Sequence, residues 1–134
     1  MKTIVYVSRK TDAARRDPDH VRHINELAIV RNAGLQVTGA LVATANKFAQ
    51  VLEGPNASVD MLMVSILRDP RHTAINLVRD APIRSRTFPK WSLAYVGPST
   101  YVQGLVEPML VEPFTEAQTD KLIRLMHEFA REGV

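Results

Sequence analysis

The residues best suited to chemistry in this chain are a phenol and a primary amide, Tyr6 in "TIVYVS" and Gln50 in "KFAQVLEGP". Strand side chains alternate between two faces. Ile4, Tyr6 and Ser8 therefore share one face of the first stretch, and Phe48, Gln50 and Leu52 share one face of the second. Each polar group is flanked on its own face by an apolar residue, on what reads as a buried face. An unpaired amide there costs about 1–3 kcal/mol. Two arrangements would satisfy it. One is a structural Tyr6–Gln50 hydrogen bond, which pattern alone favours because buried polar groups usually pair within the protein. The other is a network shared with a ligand held between the strands and their covering helices. Asn32, just before Gly34, reads either as a helix C-terminal signal or as an amide that offers a donor and an acceptor to a heterocycle. "RDPRH" groups Arg68, Asp69, Arg71 and His72 in a solvated turn or at the mouth of a pocket, where arginine suits phosphate.

These residues need elements to position them. "TIVYV" (3–7) reads as a strand, followed by a polar loop, "RKTDAARRD". Asp17 and Pro18 suit the N-cap and first position of a helix. Val21, Ile24, Leu27, Ala28 and Arg31 form its stripe, and Gly34 is expected to end it. Strands over 35–44 and from Lys47 make a hairpin across "ANK". A second helix carries Val59, Leu62, Met63 and Ile66 and breaks at Pro70. Strands at 74–80 and 91–96 follow. The order β-α-β-β-α-β-β is an α+β, ferredoxin-like pattern with one strand added and two helices on one face. The Pro-rich stretch 98–113 reads as irregular with one short helix. Residues 115–131 form an amphipathic helix with a Thr115–Gln118 capping box and a stripe of Leu122, Leu125, Met126 and Phe129. This helix is expected on the open face of the sheet or on another subunit. Two parts result, 1–97 and a C-terminal helical extension, 98–134.

Composition narrows the function. With 134 residues the chain has the length of one domain. It has no cysteine, so thiolate nucleophiles, cysteine-held metals and disulfides are excluded. His20, His23 and His127 show no metal-ligand spacing. A net charge of +3 is dispersed, and the strands lack paired exposed aromatics, so nucleic-acid binding is not expected. No apolar run reaches membrane-spanning length. GxSxG, P-loop and GxGxxG motifs are absent, which argues against a hydrolase or a nucleotide-processing enzyme.

In this order, "IVYVSR" (4–9), "RNAGLQVTGAL" (31–41), "FAQVLEGP" (48–55), "RDPRH" (68–72) and "APIRSRTFPKWSLAY" (81–95) resemble the BLUF family of flavin-using blue-light sensors. The tail resembles the helical extension of short, stand-alone members. The resemblance implies a ferredoxin-like fold and non-covalent FAD, with FMN or riboflavin as substitutes, the ring lying between the two helices. Tyr6 matches the tyrosine that donates an electron and a proton to the excited flavin. Gln50 matches the glutamine between them. Asn32 matches the residue holding the pyrimidine edge, Ile24 and Ile66 flank the ring, Arg31 lies beside it, and Asp69, Arg71 and His72 lie near the ribityl chain. Trp91 and Leu93 fall on the output strand, where the family usually carries methionine in place of Leu93.

The implied function is a cytoplasmic, non-enzymatic photoreceptor. It would bind no metal, form a dimer or larger homo-oligomer, and signal to an effector protein that the sequence does not name. The alternative carried by Leu93 is a light-insensitive flavin-binding or interaction module on the same fold.

Overall fold

The computed structural model describes residues 1–96, 100–110 and 115–132. Strand β1 (Lys2–Lys10) runs into a short helix α1 (Asp12–Arg16) and the long helix α2 (His20–Leu35). The hairpin of β2 (Thr38–Ala43) and β3 (Lys47–Gly54) follows, then α3 (Asn56–Leu67), β4 (His72–Pro82) and β5 (Trp91–Val96). Helix α4 (Thr100–Val106), a 3-10 turn (Glu107–Leu110) and α5 (Glu116–Glu132) complete the described chain. The strands lie in the order β4-β1-β3-β2-β5. β1 is antiparallel to β3 and β4, β2 is antiparallel to β3, and β5 adds to β2 in parallel. This is the ferredoxin-like α+β sheet with one extra edge strand.

The period-2 pattern of the strands divides the core into two layers. Ile4, Tyr6, Leu41, Phe48 and Leu52 face α2 and α3, where they meet Val21, Val59, Leu62, Met63 and Ile66. Val5, Val7, Ala40, Val42, Ala49 and Val51 face the other way and are covered by Val102, Val106, Met109, Leu122 and Met126 of the C-terminal segments. Fully burying a side chain of this size contributes about 1.5–3 kcal/mol. The ion pairs that join Arg79 of β4 to Glu116 and Asp120 of α5 reach largely exposed carboxylates. Such pairs are worth about 0–1 kcal/mol, so apolar burial, not charge, holds α5 on the sheet. The capping box at its start is formed, with Gln118 N–H donating to Thr115 Oγ1 at 3.1 Å and Thr115 N–H to Gln118 Oε1 at 2.7 Å.

Local expectations fail where short-range chemistry decides. The polar loop contains α1, because Thr11 Oγ1 caps it by accepting from Ala14 N–H and Arg15 pairs with Asp12 one turn earlier. Helix α2 starts at His20 rather than Pro18. Asp17 spends its carboxylate on Asp19 N–H at 2.9 Å, and Asp19 takes the N-cap position. Gly34 does not end α2. The helix continues to Leu35, and Gln36 makes the left-handed C-cap at φ 59°. β2 is shorter than expected and β4 longer. The expected boundary between 97 and 98 falls outside the described residues.

The loop before β5 is tied down from both layers. Glu53 is buried on β3 and accepts N–H bonds from Thr87 and Phe88 at 3.1 and 2.7 Å. Arg86 donates to Thr38 Oγ1 and to the carbonyls of Glu53 and Gln36. The start of β5 is thereby fixed relative to the hairpin that carries Gln50.

Candidate functional site

One open cleft lies between α2 and α3, above the centre of the sheet; it spans about 410 Å³ counting the solvent space at its mouth. Tyr6, Gln50, Ile24, Arg31, Ile66, Asp69, Arg71 and His72 all line it, so eight residues from separate stretches of sequence converge. Leu27, Leu41 and Phe48 complete the wall. Leu41 is the register partner of Gln50 across the hairpin, and Leu27 lies one turn beyond Ile24. Periodicity puts Leu27 on the apolar stripe of its helix, but it is 50% exposed at the cleft; Leu41 falls in an expected strand, and nothing local marks either as a cleft residue.

Tyr6 and Gln50 are register partners on β1 and β3, and the phenol donates to Gln50 Oε1. Burial, reinforced by the charge of Asp69, pushes the Tyr6 hydroxyl well above its ordinary value, and Arg31 opposes this only in part. The phenol therefore keeps its proton at any ordinary pH and acts as the donor. Its bond fixes the amide: Oε1 faces Tyr6, and Nε2 remains as the donor end.

Asn32 is fully buried within α2 and does not end the helix. Arg31 Nε donates to its Oδ1 at 3.3 Å, while its Nδ2 is buried with no hydrogen-bond partner. A buried orphan donor costs about 1–3 kcal/mol; Asn32 does not itself line the cleft and meets it through Arg31, so a partner for its Nδ2 must come in beside that side chain. The donor and acceptor of the Asn32 amide match the alternating carbonyl and N–H groups of a pyrimidine-dione edge. On that ground the cleft fits a flavin. Arg31 is half-buried, and burial lowers the pKa of its guanidinium.

At the mouth, burial works against the Asp69 carboxylate. Arg71 outweighs it, donating from its backbone N–H at 2.9 Å and from Nε and Nη2 at 2.9 and 2.7 Å, and holds the group below the usual carboxylate range. Leu27, Arg31, Ser65, Arg68, Asp69 and Arg71 continue the cleft outward into an open groove. His72 is saturated within the fold. Its Nε2 donates to the Ile66 carbonyl at 2.8 Å, so Nδ1, 3.0 Å from Ser8 Oγ, accepts from that hydroxyl in the neutral ring. It packs edge-on against Tyr6 and Phe48, which makes it a wall of the cleft.

Trp91 and Leu93 do not line the cleft. Both pack into the layer beneath α2, and the Trp91 indole N–H donates to Asn25 Oδ1 at 2.8 Å. Asn25 gave no signal in the sequence, since nothing local links residues 66 positions apart. Among the described residues there is no cluster of potential metal ligands, and no helix is long and apolar enough to cross a membrane.

Fold and cleft together define a ferredoxin-like α+β domain with a cleft lined by a buried Tyr–Gln pair. The family model for BLUF, sensors of blue-light using FAD, matches residues 1–94, and the chain belongs to that family, whose cofactor is FAD. The photoactivated adenylate cyclase subunit beta of Euglena longa is 37% identical over 94 residues, which is 69% of this chain and 11% of that protein. The chain thus spans about a tenth of the length of the curated relatives it matches. BlrB, a BLUF protein solved in its dark state, is 26% identical with a TM-score of 0.73, covering 99% of this chain and 96% of that one. BlsA in its photo-activated state gives a TM-score of 0.77 at 23% identity over 95% of both chains, a likeness of fold.

Proposed function

We propose that this chain is a blue-light photoreceptor in which Tyr6 and Gln50 form a light-driven switch against non-covalently bound FAD. The observation that carries the reading is the buried Tyr6–Gln50 bond in the lining of a cleft, with the orphan amide donor of Asn32 directly behind Arg31 of its wall. Asn32 holds the pyrimidine edge, Ile24 and Ile66 flank the ring, and Arg31 lies beside it. The outer groove, with Arg31, Arg68 and Arg71, takes the ribityl and diphosphate tail.

When bound, FAD supplies a ring that absorbs blue light and, once excited, accepts an electron. Tyr6 is the residue that gives one up. A phenol that has lost an electron is strongly acidic, and its proton leaves along the bond to Gln50. Electron and proton both come back, so no net oxidation remains. What persists is a rearranged Gln50 amide, which would present its hydrogen bond differently to a ring held in the cleft. Phe48 and Leu41 keep water from exchanging with the amide and erasing that state. The fold performs no net reaction of its own. It biases a partner protein or an attached effector domain, as the name of the Euglena cyclase subunits suggests for those proteins.

Asn32 offers a direct test. Asn32→Ala should weaken FAD binding about ten- to hundredfold, the worth of two hydrogen bonds to a buried ligand. It should change the stability of the flavin-free protein by no more than about 1 kcal/mol, because the amide removed has an unpaired donor there. Titration with FAD and urea unfolding of the flavin-free form measure the two. Unchanged affinity would remove Asn32 from the site.

A further inference from the structure

We infer that Asn25 is a positioning residue for the switch. Its amide oxygen latches the Trp91 indole to α2, so that the cleft wall and the outer strand β5 answer to Gln50 together. The inference rests on the photochemical reading above.

Tyr6, Gln50, Leu41 and Leu93 follow one another across β1, β3, β2 and β5 as register partners. β5 is therefore two strands away from Gln50, and the path through Leu41 and Leu93 is apolar packing, which has no direction. The Asn25–Trp91 bond is directional. Among the described residues it is the side-chain hydrogen bond that joins α2 to β5. Asn25 directly follows Ile24, which lines the cleft, while Trp91 packs against both buried clusters on the helix-facing side of the sheet, the one that holds Tyr6 and Leu52 and the one that holds Leu41 and Phe48. The opposite side of β5 meets α5. A displacement of α2 or of the floor around Gln50 therefore reaches the strand on which the C-terminal helix rests.

The chemistry of the latch is specific. An indole N–H only donates, and Asn25 Oδ1 accepts it. Aspartate keeps that acceptor. Leucine keeps the size and loses it. The latch is formed in the arrangement where Tyr6 donates to Gln50 Oε1, so releasing it removes support from that arrangement and slows the return to it after light.

Trp91 is the only tryptophan, so tryptophan emission reports the surroundings of this one indole. In the flavin-free protein, Asn25→Leu should raise acrylamide quenching of Trp91 about twofold or more, the scale set by losing one net hydrogen bond. In the FAD-loaded protein, Asn25→Leu should keep the light-induced red shift and slow dark return about threefold or more, and Asn25→Asp should restore wild-type behaviour in both assays. Trp91→Phe, which lacks the N–H, should slow dark return by itself and gain nothing further from Asn25→Leu, the mark of one shared interaction. Wild-type quenching in Asn25→Leu would overturn the latch. Raised quenching with unchanged dark return, or failure of Asn25→Asp to rescue, would overturn its coupling to the switch. If the wild-type chain shows no light-induced shift, the photochemical reading falls and takes the coupling with it, while the quenching comparison still decides whether Asn25 holds Trp91.

Discussion

Tyr6→Phe is expected to abolish the light-induced red shift and leave a yellow, folded protein. The substitution removes one oxygen and keeps the ring that packs against His72 and fills the layer between Ile4 and Leu52. It leaves Gln50 Oε1 without its donor, at a cost of about 1–3 kcal/mol for a buried unpaired acceptor. Against a typical stability of about 5–15 kcal/mol the fold survives. FAD affinity should stay within about threefold, since the groups assigned to the ring edge and tail are untouched. Photochemistry fails on two counts: phenylalanine is far harder to oxidise than a phenol, and it has no proton to pass to Gln50. Absorption spectra before and after blue light, at matched flavin loading, check this. A red shift of wild-type yield would show that Tyr6 is not the donor.

Gly39→Ala is expected to destabilise the protein strongly. Gly39 lies on β2 at φ 151°, in a region L side chains rarely adopt. A Cβ there would come within 1.8 Å of the Val51 carbonyl oxygen on β3. That oxygen belongs to the backbone of the strand carrying Gln50, so it cannot swing aside as a side chain would. The strained backbone costs about 1–3 kcal/mol, and the forced separation of β2 from β3 about 1–3 kcal/mol more. Urea unfolding should show a loss of about 2–6 kcal/mol, with weakened flavin retention because Leu41, two residues on, lines the cleft. A loss below about 1 kcal/mol would mean that the hairpin backbone shifts freely.

Much of this site was legible in the sequence because its key residues sit on strands, where alternation alone assigns faces. Ile4, Tyr6 and Ser8 point together, as do Phe48, Gln50 and Leu52, and the structure places both sets toward the helices. The puzzle of a glutamine between two large apolar residues is answered by its register partner, Tyr6, and by the cleft above both. What stayed hidden depends on partners distant in sequence. Strand alternation puts Glu53 on the face opposite Gln50, together with Val51, but the N–H groups that make a buried carboxylate tolerable come from a loop more than thirty residues later. His72 reads as a pocket residue, yet the carbonyl of Ile66 and the hydroxyl of Ser8 claim both ring nitrogens. Local competition misled as well. Asp17 and Gly34 are strong helix-boundary residues by type, but an Asx turn consumed one and the αL conformation fell to Gln36 instead of the other.

Leu93 is the clearest departure from the family pattern. It keeps the volume of the usual methionine and loses the polarizable sulfur. With Leu41 standing between it and Gln50, Leu93 can reach Gln50 by packing alone; on the proposed photochemical reading, this shifts the weight of transmission onto Trp91 and its bond to α2.

The central claim is that a buried hydrogen-bond arrangement, and no lasting oxidation, stores the light signal. The most direct test is the light-minus-dark absorption difference of the FAD-loaded protein, followed through dark recovery. The account predicts a small red shift of the flavin bands with no bleaching, decaying fully to the starting spectrum in the dark. A flavin-loaded protein whose spectrum is the same before and after blue light, or one that bleaches and stays bleached, would contradict it.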